Sequence, residues 1–203
     1  MNRSWLAAAT LVVALGACAK EQQQAAAPAG PAKGTKEWKI QDAMSAAPAA
    51  IANGAAVVDW PATPNGQPVQ LKPGTNGWTC MPDDPSTPGD DPVCGDSLSY
   101  AWYGQYMQHK PPKIPSVALA YMLQGAWDAS NTDPSKMKPD SGQEWVVTGP
   151  HLMIFVPDPK ALRGMPTDWK SGGPYVMWQG TPYAHLMVPV AAAKPAMSGM
   201  SGM

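Results

Sequence analysis

The feature that most constrains this chain is its proline content, 24 of 203 residues. That is about twice the background frequency of roughly 5%. Proline fixes φ and has no backbone N–H to donate, so long helices and uninterrupted central strands should be few. Apolar residues nevertheless make up 44% of the chain, which is enough for a packed core. We therefore expect a folded protein of short elements joined by many loops.

The chain is close to electrically neutral, with 14 Lys and Arg residues against 15 Asp and Glu residues. A protein that binds nucleic acid draws much of its affinity from basic side chains that neutralise phosphates. This sequence has no basic excess of that kind. We expect no nucleic-acid partner.

The first eighteen residues have the pattern of a bacterial export signal. Arg3 precedes an apolar stretch over residues 5–14, which is shorter than the roughly 20 residues that span a bilayer. The segment Leu15-Gly16-Ala17-Cys18 resembles the lipobox of bacterial lipoproteins. That resemblance implies a signal peptide over residues 1–17, a diacylglyceryl group on the Cys18 sulfur, and Cys18 as the mature N-terminus. The alternative is an ordinary signal peptide with a chance cysteine.

Lipidation of Cys18 makes the lipid bilayer the first expected partner. Two or three acyl chains hold a protein firmly at a membrane, whereas one chain binds only marginally. The residue after the cysteine is Ala19 rather than Asp, which favours the outer membrane by the sorting rules of similar lipoproteins. We therefore expect a lipid-anchored protein of the bacterial cell envelope, at the outer membrane and facing the periplasm.

Composition divides the mature chain into three parts. Residues 18–35 comprise the lipidated N-terminus and a flexible tether of Ala, Gln, Pro, Gly and Lys without apolar periodicity. Residues 36–190 are long enough for one folded domain. Residues 191–203 form a low-complexity, Met-rich tail that we expect to be disordered.

Cys80 and Cys94 remain after removal of the signal peptide, and in an exported protein such a pair favours a disulfide. Closing a loop of about 15 residues stabilises a fold by about 3 kcal/mol on the chain-entropy model. The enclosed segment has four prolines and no core-forming run. A redox-active dithiol is the weaker alternative, because the sequence has no Cys-x-x-Cys. The acidic residues here are also a candidate calcium site, although an exposed polar loop explains them equally well: Asp83, Asp84, Asp90, Asp91 and Asp96.

Hydrophobic periodicity and capping residues predict short elements along residues 36–190. We expect helices over residues 37–44 and 96–109, the second capped by Asp96 and stopped by Pro111-Pro112. The strands expected are 55–60, 69–72, 117–123, 145–156, 175–178 and 183–190. Residues 128–134 are rich in side chains that bond to nearby backbone, which indicates a structured turn rather than a site. The predicted fold is a β-rich α+β single domain with a mainly antiparallel sheet. The segments GTNGWTC, SNTDP and GGPYVMWQGTPYAHLMVP resemble an uncharacterised group of bacterial exported proteins, to which no activity is attached.

Two expected strands carry the same His-Leu-Met pattern, with His151 and Met153 in one and His185 and Met187 in the other. Strand side chains alternate between faces, so each His lies beside its Met on one face. The aliphatic residues lie on the opposite face, which we expect to be the core. If the strands pair, two imidazoles and two thioethers can converge. Such soft donors suit Cu(I) or Ag(I).

In chain order, His151-x-Met153, Met165 and His185-x-Met187 resemble the methionine–histidine motif of periplasmic copper chaperones. The resemblance implies Cu(I) as a bound ion. The tail adds Met197, Met200 and Met203 at every third residue. The alternative is that these His and Met side chains are packed core residues, since methionine commonly fills gaps in a core.

Tryptophan offers a different kind of site. Eight of the nine tryptophans lie beyond the signal peptide, against the single phenylalanine Phe155. Exposed indoles can stack on a sugar ring or on a partner protein. The sequence contains no G-x-S-x-G, no H-E-x-x-H and no glycine-rich phosphate loop, so we expect no enzyme. The predicted role is non-catalytic binding of an unidentified periplasmic ligand or protein partner, with soft-metal binding as the alternative.

Overall fold

The computed structural model describes residues 30–63 and 66–193. Cys18, the signal segment and most of the tether lie outside the described residues, as does the tail from residue 194 with its three methionines. Among the helices of the described ranges, none is long and apolar enough to cross a membrane.

The two longer helices each begin at a side chain that caps them. Helix α1, Lys36–Ser45, starts after Thr35, whose hydroxyl accepts a hydrogen bond from the Trp38 N–H at 3.2 Å. Helix α2 is the single turn Ala49–Ala52. Helix α3, Ser97–Met107, starts after Asp96, whose carboxylate accepts from the Ser99 N–H at 2.7 Å. Each cap satisfies a backbone donor that a helix start leaves free, so local sequence sets both starting points.

Helix α3 ends two residues earlier than the sequence predicted. His109 has a φ of 56°, in the left-handed region that cannot continue a helix. The N–H of His109 donates to the Tyr106 carbonyl at 2.8 Å, and the N–H of Lys110 donates to the Gln105 carbonyl at 3.0 Å. This pair of bonds is a Schellman motif with His where glycine is the usual residue.

In the described residues, ten strands form two sheets. The larger has eight strands in the order β2-β1-β3-β4-β5-β8-β10-β9, and the smaller is the antiparallel pair β6–β7. In the large sheet, only β1 and β3 are parallel neighbours. The strands are β1 Ala56–Asp59, β2 Val69–Lys72, β3 Thr79–Met81, β4 Val93–Gly95, β5 Ala118–Met122, β6 Ala126–Asp128, β7 Val146–Thr148, β8 His151–Phe155, β9 Tyr175–Met177 and β10 His185–Pro189. The predicted β-rich α+β class with a mainly antiparallel sheet is confirmed.

The predicted strand over residues 145–156 is wrong as a single element. It is divided at Gly149 and Pro150 into β7 of the small sheet and β8 of the large one. A Cβ on Gly149 would lie 2.4 Å from the carbonyl oxygen of Ala191, so this break allows another part of the backbone to approach closely. The three-residue strands β3, β4 and β6 were not predicted, because they are too short to show alternation.

The register of the large sheet separates two faces. One row contains Val57, Cys80, Cys94, Tyr121, Leu152 and Val188. Helix α1 packs on this face through Ala43 and Ala46, and we call it the α1 face. The adjacent row contains Thr79, Gly95, Ala120, Met153, Met187 and Tyr175 and points to the opposite side. Helix α3 packs there through Trp102, and we call it the α3 face.

The expectation that the aliphatic side chains of β8 and β10 form the core is only partly correct. Leu186 packs against a small buried cluster that contains Leu162 and Val176, but the aliphatic face of these strands is less buried than the opposite face. Leu152 and Ile154 are only half-buried. The buried side chains of these strands are His151, Phe155, His185 and Met187, all on the α3 face. The burial is decided by tertiary packing, because α3 and strand β7 cover the α3 face of β8 and β10. Helix α1 instead packs at the other end of the sheet, on β1, β3 and β4.

Candidate functional site

The predicted disulfide is confirmed. Cys80 and Cys94 lie directly opposite each other on β3 and β4 and are joined by an S–S bond of 2.07 Å. Both are fully buried on the α1 face. The loop that they close extends to the other face of the sheet, where it forms part of a cavity wall.

The carboxylates of this loop bond mainly within it. Asp91 accepts from the Asp84 N–H at 3.0 Å and from the Thr87 hydroxyl at 2.7 Å. Asp83 accepts from the Asp91 N–H at 3.3 Å and contacts the Lys33 ammonium at 3.2 Å. Burial raises the pKa of Asp91 to about 7. Within residues 30–63 and 66–193, no three His, Cys, Asp or Glu side chains lie close enough together to hold a metal ion.

A cavity of about 190 Å³ lies on the α3 face, between the large sheet, helix α3, the disulfide loop and strand β6. Its lining extends from Met187, which is 1% exposed, to Met137, which is 69% exposed. The cavity therefore extends from the core to the surface. An engineered apolar cavity of about 150 Å³ binds benzene, so the space suits a molecule of similar or slightly larger size.

Aromatic rings dominate the lining: Trp60, Tyr100, Trp102, Tyr103, Tyr106, Trp127, Trp145, Phe155 and Trp178. Tyr106 stacks between Trp102 and Trp178, with ring centroids 5.9 and 5.2 Å away. Trp178 also meets His185 edge to face at 5.2 Å. These contacts fix the positions of Trp102, Tyr106 and Trp178 relative to one another, which keeps this part of the cavity in shape without a ligand.

Two tryptophans of the cavity are positioned by features of the backbone. Trp178 has a φ of 56°, and its indole N–H donates to the Ser130 carbonyl at 2.8 Å. Its backbone N–H donates to the Asn131 carbonyl, also at 2.8 Å. Trp127 lies over Gly89 of the disulfide loop, where an added Cβ would be 1.8 Å from an indole carbon. Strained backbone of the Trp178 kind is concentrated at functional sites in proteins.

Asp128 is the one cavity carboxylate with a buried oxygen that has no partner. Its Oδ2 is buried and makes no hydrogen bond. Burial raises the pKa of Asp128 to about 7. Its charge also contributes, after burial itself, to raising the pKa of the nearby Tyr106 to about 12. An unpartnered carboxylate beside aromatic rings is costly to the empty protein and is therefore a candidate ligand contact.

The two His-x-Met pairs lie on neighbouring antiparallel strands, but their four side chains do not converge on one site. Met153 and Met187 are directly opposite each other on β8 and β10. His151 is opposite Pro189, whereas His185 stacks on Phe155 at a centroid distance of 5.1 Å. The two histidines are therefore four residues apart in register, about 13 Å along the strands. His185 and both methionines line the cavity, and His151 does not.

Both imidazoles are neutral near pH 7. Burial lowers the pKa of His151 and of His185 to about 4. The Nδ1 of His151 is 2.8 Å from the Gly149 carbonyl oxygen, and that of His185 is 2.9 Å from the Tyr183 carbonyl oxygen. Because a carbonyl only accepts, Nδ1 carries the proton and Nε2 keeps its lone pair. The Nε2 of His151 is buried without a partner.

The sequence interpretation missed Asp128 as a candidate site residue. The predicted turn over residues 128–134 is present, since Ser130 accepts from the N–H groups of Thr132 and Asp133. The side chains at the start of that segment nevertheless line the cavity. The sequence feature that could have indicated this site is the Trp127-Asp128 dipeptide, in which a large aromatic side chain directly precedes a carboxylate. Met165 lies outside the cavity lining, packed near Leu162 and Val176.

No protein-family model matches this chain, and neither a curated protein nor a solved structure is similar to it. Its function is therefore inferred from the chemistry of the cavity and from the sequence.

Proposed function

We propose that this protein is a bacterial envelope lipoprotein whose folded domain binds a small organic molecule, without converting it, in the aromatic cavity of the α3 face. The observation that carries the proposal is the cavity itself. Ligand sites are concave, mainly apolar and lined by aromatic rings with a few polar groups. The cavity has that composition, because its lining combines nine aromatic side chains and the buried Met187 with Asp128, whose Oδ2 has no hydrogen-bond partner.

The hydrogen bonds of the polar groups on the α3 face are consistent with a site that binds a ligand and does not convert it. Catalysis by acid and base needs titratable groups within reach of each other and of a substrate. The buried His185 bonds through Nδ1 to a backbone carbonyl, and Asp91 accepts two hydrogen bonds from its own loop. Their bonds hold local structure, which leaves shape and the Asp128 carboxylate to select a ligand.

The binding proposal is tested by intrinsic tryptophan fluorescence, titrated separately with benzene, with choline and with 3,3-dimethylbutan-1-ol. We expect a saturable change with at least one of these, because five tryptophans line the cavity. Ala126→Leu, which adds volume at the buried cavity wall, should abolish it. Ala101→Leu is the matched control, since Ala101 is on the exposed side of α3 and does not line the cavity. Titrations without saturation for all three compounds, or equal loss in both variants, would contradict the proposal.

The anchoring part of the proposal rests on the lipobox-like segment that ends at Cys18. A Cys18→Ser variant has no thiol to acylate and should move from the membrane fraction to the soluble periplasmic fraction. The unchanged chain, labelled with radioactive palmitate, provides the positive control. Unchanged fractionation of the variant would overturn the lipoprotein assignment.

Soft-metal binding is the second candidate, and one observation favours it. Met153 and Met187 are directly paired, and the next position of the same face pairs His185 with Met177. All four side chains line the cavity. Thioethers and a neutral imidazole are ligands for Cu(I). The imidazole geometry also fits, because a ligating histidine commonly donates its other N–H to a backbone carbonyl.

The metal candidate is tested by anaerobic competition for Cu(I) against a chromogenic chelator. If the site exists, the double variant Met153→Leu/Met187→Leu should lose the transfer that the unchanged protein shows. Met107→Leu is the control, since Met107 is 46% exposed and does not line the cavity. An absence of transfer at micromolar protein would remove this candidate and leave the organic ligand.

A further inference from the structure

The charges around the cavity indicate which kind of small molecule it accepts. Four carboxylates line it: Asp84, Asp91, Asp128 and Asp133. Within the described residues, Lys136 is the only Lys or Arg in the lining, and its ammonium lies 2.6 Å from the Asp140 carboxylate. His185 is neutral, because burial lowers its pKa to about 4. Burial raises the pKa of Asp91 and of Asp128 to about 7, so these two carboxylates are only partly ionised at neutral pH, whereas a hydrogen bond from Ser135 holds the pKa of Asp133 below its usual value. The cavity therefore has a negative potential that attracts cations, and a bound cation favours the ionised form of Asp128.

Asp128 differs from the other three carboxylates in what it bonds. Asp84 accepts from the Ser86 N–H at 2.8 Å, and Asp133 accepts from the Ser135 hydroxyl at 2.6 Å. Asp91 accepts from within its own loop, as described above. Only Asp128 keeps a buried oxygen, Oδ2, without any hydrogen bond. A buried acceptor of this kind costs free energy until a donor or a cation reaches it.

The indole rings of the cavity are a second, independent feature that favours a cationic ligand. The face of an aromatic ring carries negative charge, and tryptophan binds cations better than tyrosine or phenylalanine does. Trp127, which directly precedes Asp128, lines the cavity together with four other tryptophans. A carboxylate with an unpartnered oxygen, in a cavity that five indole rings also line, suits an organic ammonium ion. A hard metal ion such as Ca²⁺ instead takes six or more oxygen ligands.

We propose that the ligand of this cavity is a small organic ammonium ion, held by the indole rings and paired with the Asp128 carboxylate. This inference rests on the proposed binding function and deepens it by naming the ligand class. The size is consistent, since a cavity of about 190 Å³ has room for an ammonium group that carries a few carbon atoms.

The test uses a matched pair of compounds, choline and its uncharged carbon analogue 3,3-dimethylbutan-1-ol, with dissociation constants measured by calorimetry on the full mature chain. The two have nearly the same shape and differ in the charge. We expect choline to bind at least about tenfold more tightly. Equal or tighter binding of the neutral alcohol would overturn the ammonium proposal while leaving the binding function standing. If choline, the alcohol and benzene all fail to bind, both proposals fail.

Two variants test whether Asp128 is the carboxylate that recognises the charge of the ligand. Asp128→Asn keeps the shape of the side chain and should weaken choline binding by about tenfold or more, while changing binding of the neutral alcohol by less than about twofold. Asp158→Asn removes the same charge from an exposed carboxylate that lies outside the cavity lining and accepts from the Lys160 N–H, and it should change choline binding by less than about twofold. Near-UV circular dichroism checks that both variants fold. Equal effects of the two substitutions would refute the assigned role of Asp128.

Discussion

The two faces of the large sheet are packed in opposite ways. On the α1 face the buried side chains are small: Ala43, Ala46, Ala52, Ala55, Val57 and the two cysteines are each 0–2% exposed. On the α3 face the covering residues are large rings, and they leave a cavity of about 190 Å³. Small side chains let a helix approach the sheet closely, whereas interlocked rings hold a space open.

The unfavourable features of the fold are concentrated on the face that has the cavity. Asp128, whose Oδ2 is buried without a partner, lines that space, as does Trp178 with its positive φ. The α1 face instead has the disulfide and capped helix α1. Proteins commonly keep such costs where they bind a ligand, and offset them with stability elsewhere. The comparison therefore assigns stability to one face and recognition to the other.

The largest effect is expected from removal of the disulfide, because it both stabilises the fold and holds the loop that forms part of the cavity wall. The double variant Cys80→Ala/Cys94→Ala should lose about 3 kcal/mol of unfolding free energy in urea denaturation, since the unfolded chain is no longer cross-linked. It should also bind choline more weakly, because the loop that forms one cavity wall is released. A loss below about 1 kcal/mol would show that the loop is ordered without the crosslink.

The Asp128→Asn variant tests whether the buried Asp128 carboxylate on the α3 face lowers the free energy of unfolding. Burial raises the pKa of Asp128 in the folded protein to about 7, whereas an unperturbed aspartate has a pKa of about 3.9. The folded state therefore binds the proton more tightly, and ionisation destabilises the fold progressively as the pH rises from about 4 to about 7. At about 1.4 kcal/mol per pKa unit, we expect the variant to be more stable than the unchanged protein by at least about 2 kcal/mol at pH 8, and about equal at pH 4. Thermal denaturation across that pH range measures the difference, and a pH-independent difference would contradict this account.

A matched pair of alanine substitutions compares the packing of the two faces directly. Ala43→Leu overfills the α1 face and should cost about 1–2 kcal/mol in urea denaturation. Ala126→Leu places the same added atoms in the cavity and should cost less than about 1 kcal/mol. Similar costs at both positions would mean that the cavity is not open in solution.

The smallest effects are expected from two glycines. Gly104→Ala in α3 meets no atom within 4 Å and should stabilise the protein by about 0.5–1 kcal/mol, because alanine favours a helix. Gly89→Ala should instead displace the Trp127 ring, lower stability and weaken choline binding. Thermal denaturation and calorimetry on both variants compare them. Normal choline binding by Gly89→Ala would separate Trp127 from recognition.

Local chemistry was enough to predict much of the fold. Asp96 marks the start of α3, and the alternation around β8 and β10 marks both strands. The sequence did not predict which face of those strands is the more deeply buried: we expected the aliphatic face, and the face with His and Met is the more buried one. Which face becomes buried depends on where α3 packs, and that is set by long-range contacts of Trp102.

The candidate site was less accessible to sequence reasoning. The cysteine pairing could be predicted from the number of cysteines and the expected export of the chain. The cavity instead assembles Asp84, Asp128 and His185 from distant parts of the chain. Spacing in sequence does not show such proximity. The absence of a partner for one Asp128 oxygen is a property of the folded chain alone.

A crystal structure of the mature chain soaked in choline tests the central claim, that the α3 face keeps a ligand site open. We predict electron density for one choline inside the cavity, with its ammonium against indole rings and within ion-pair distance of the Asp128 carboxylate. A structure in which Trp178 or Met153 has collapsed into that space, so that no molecule fits, would contradict the account.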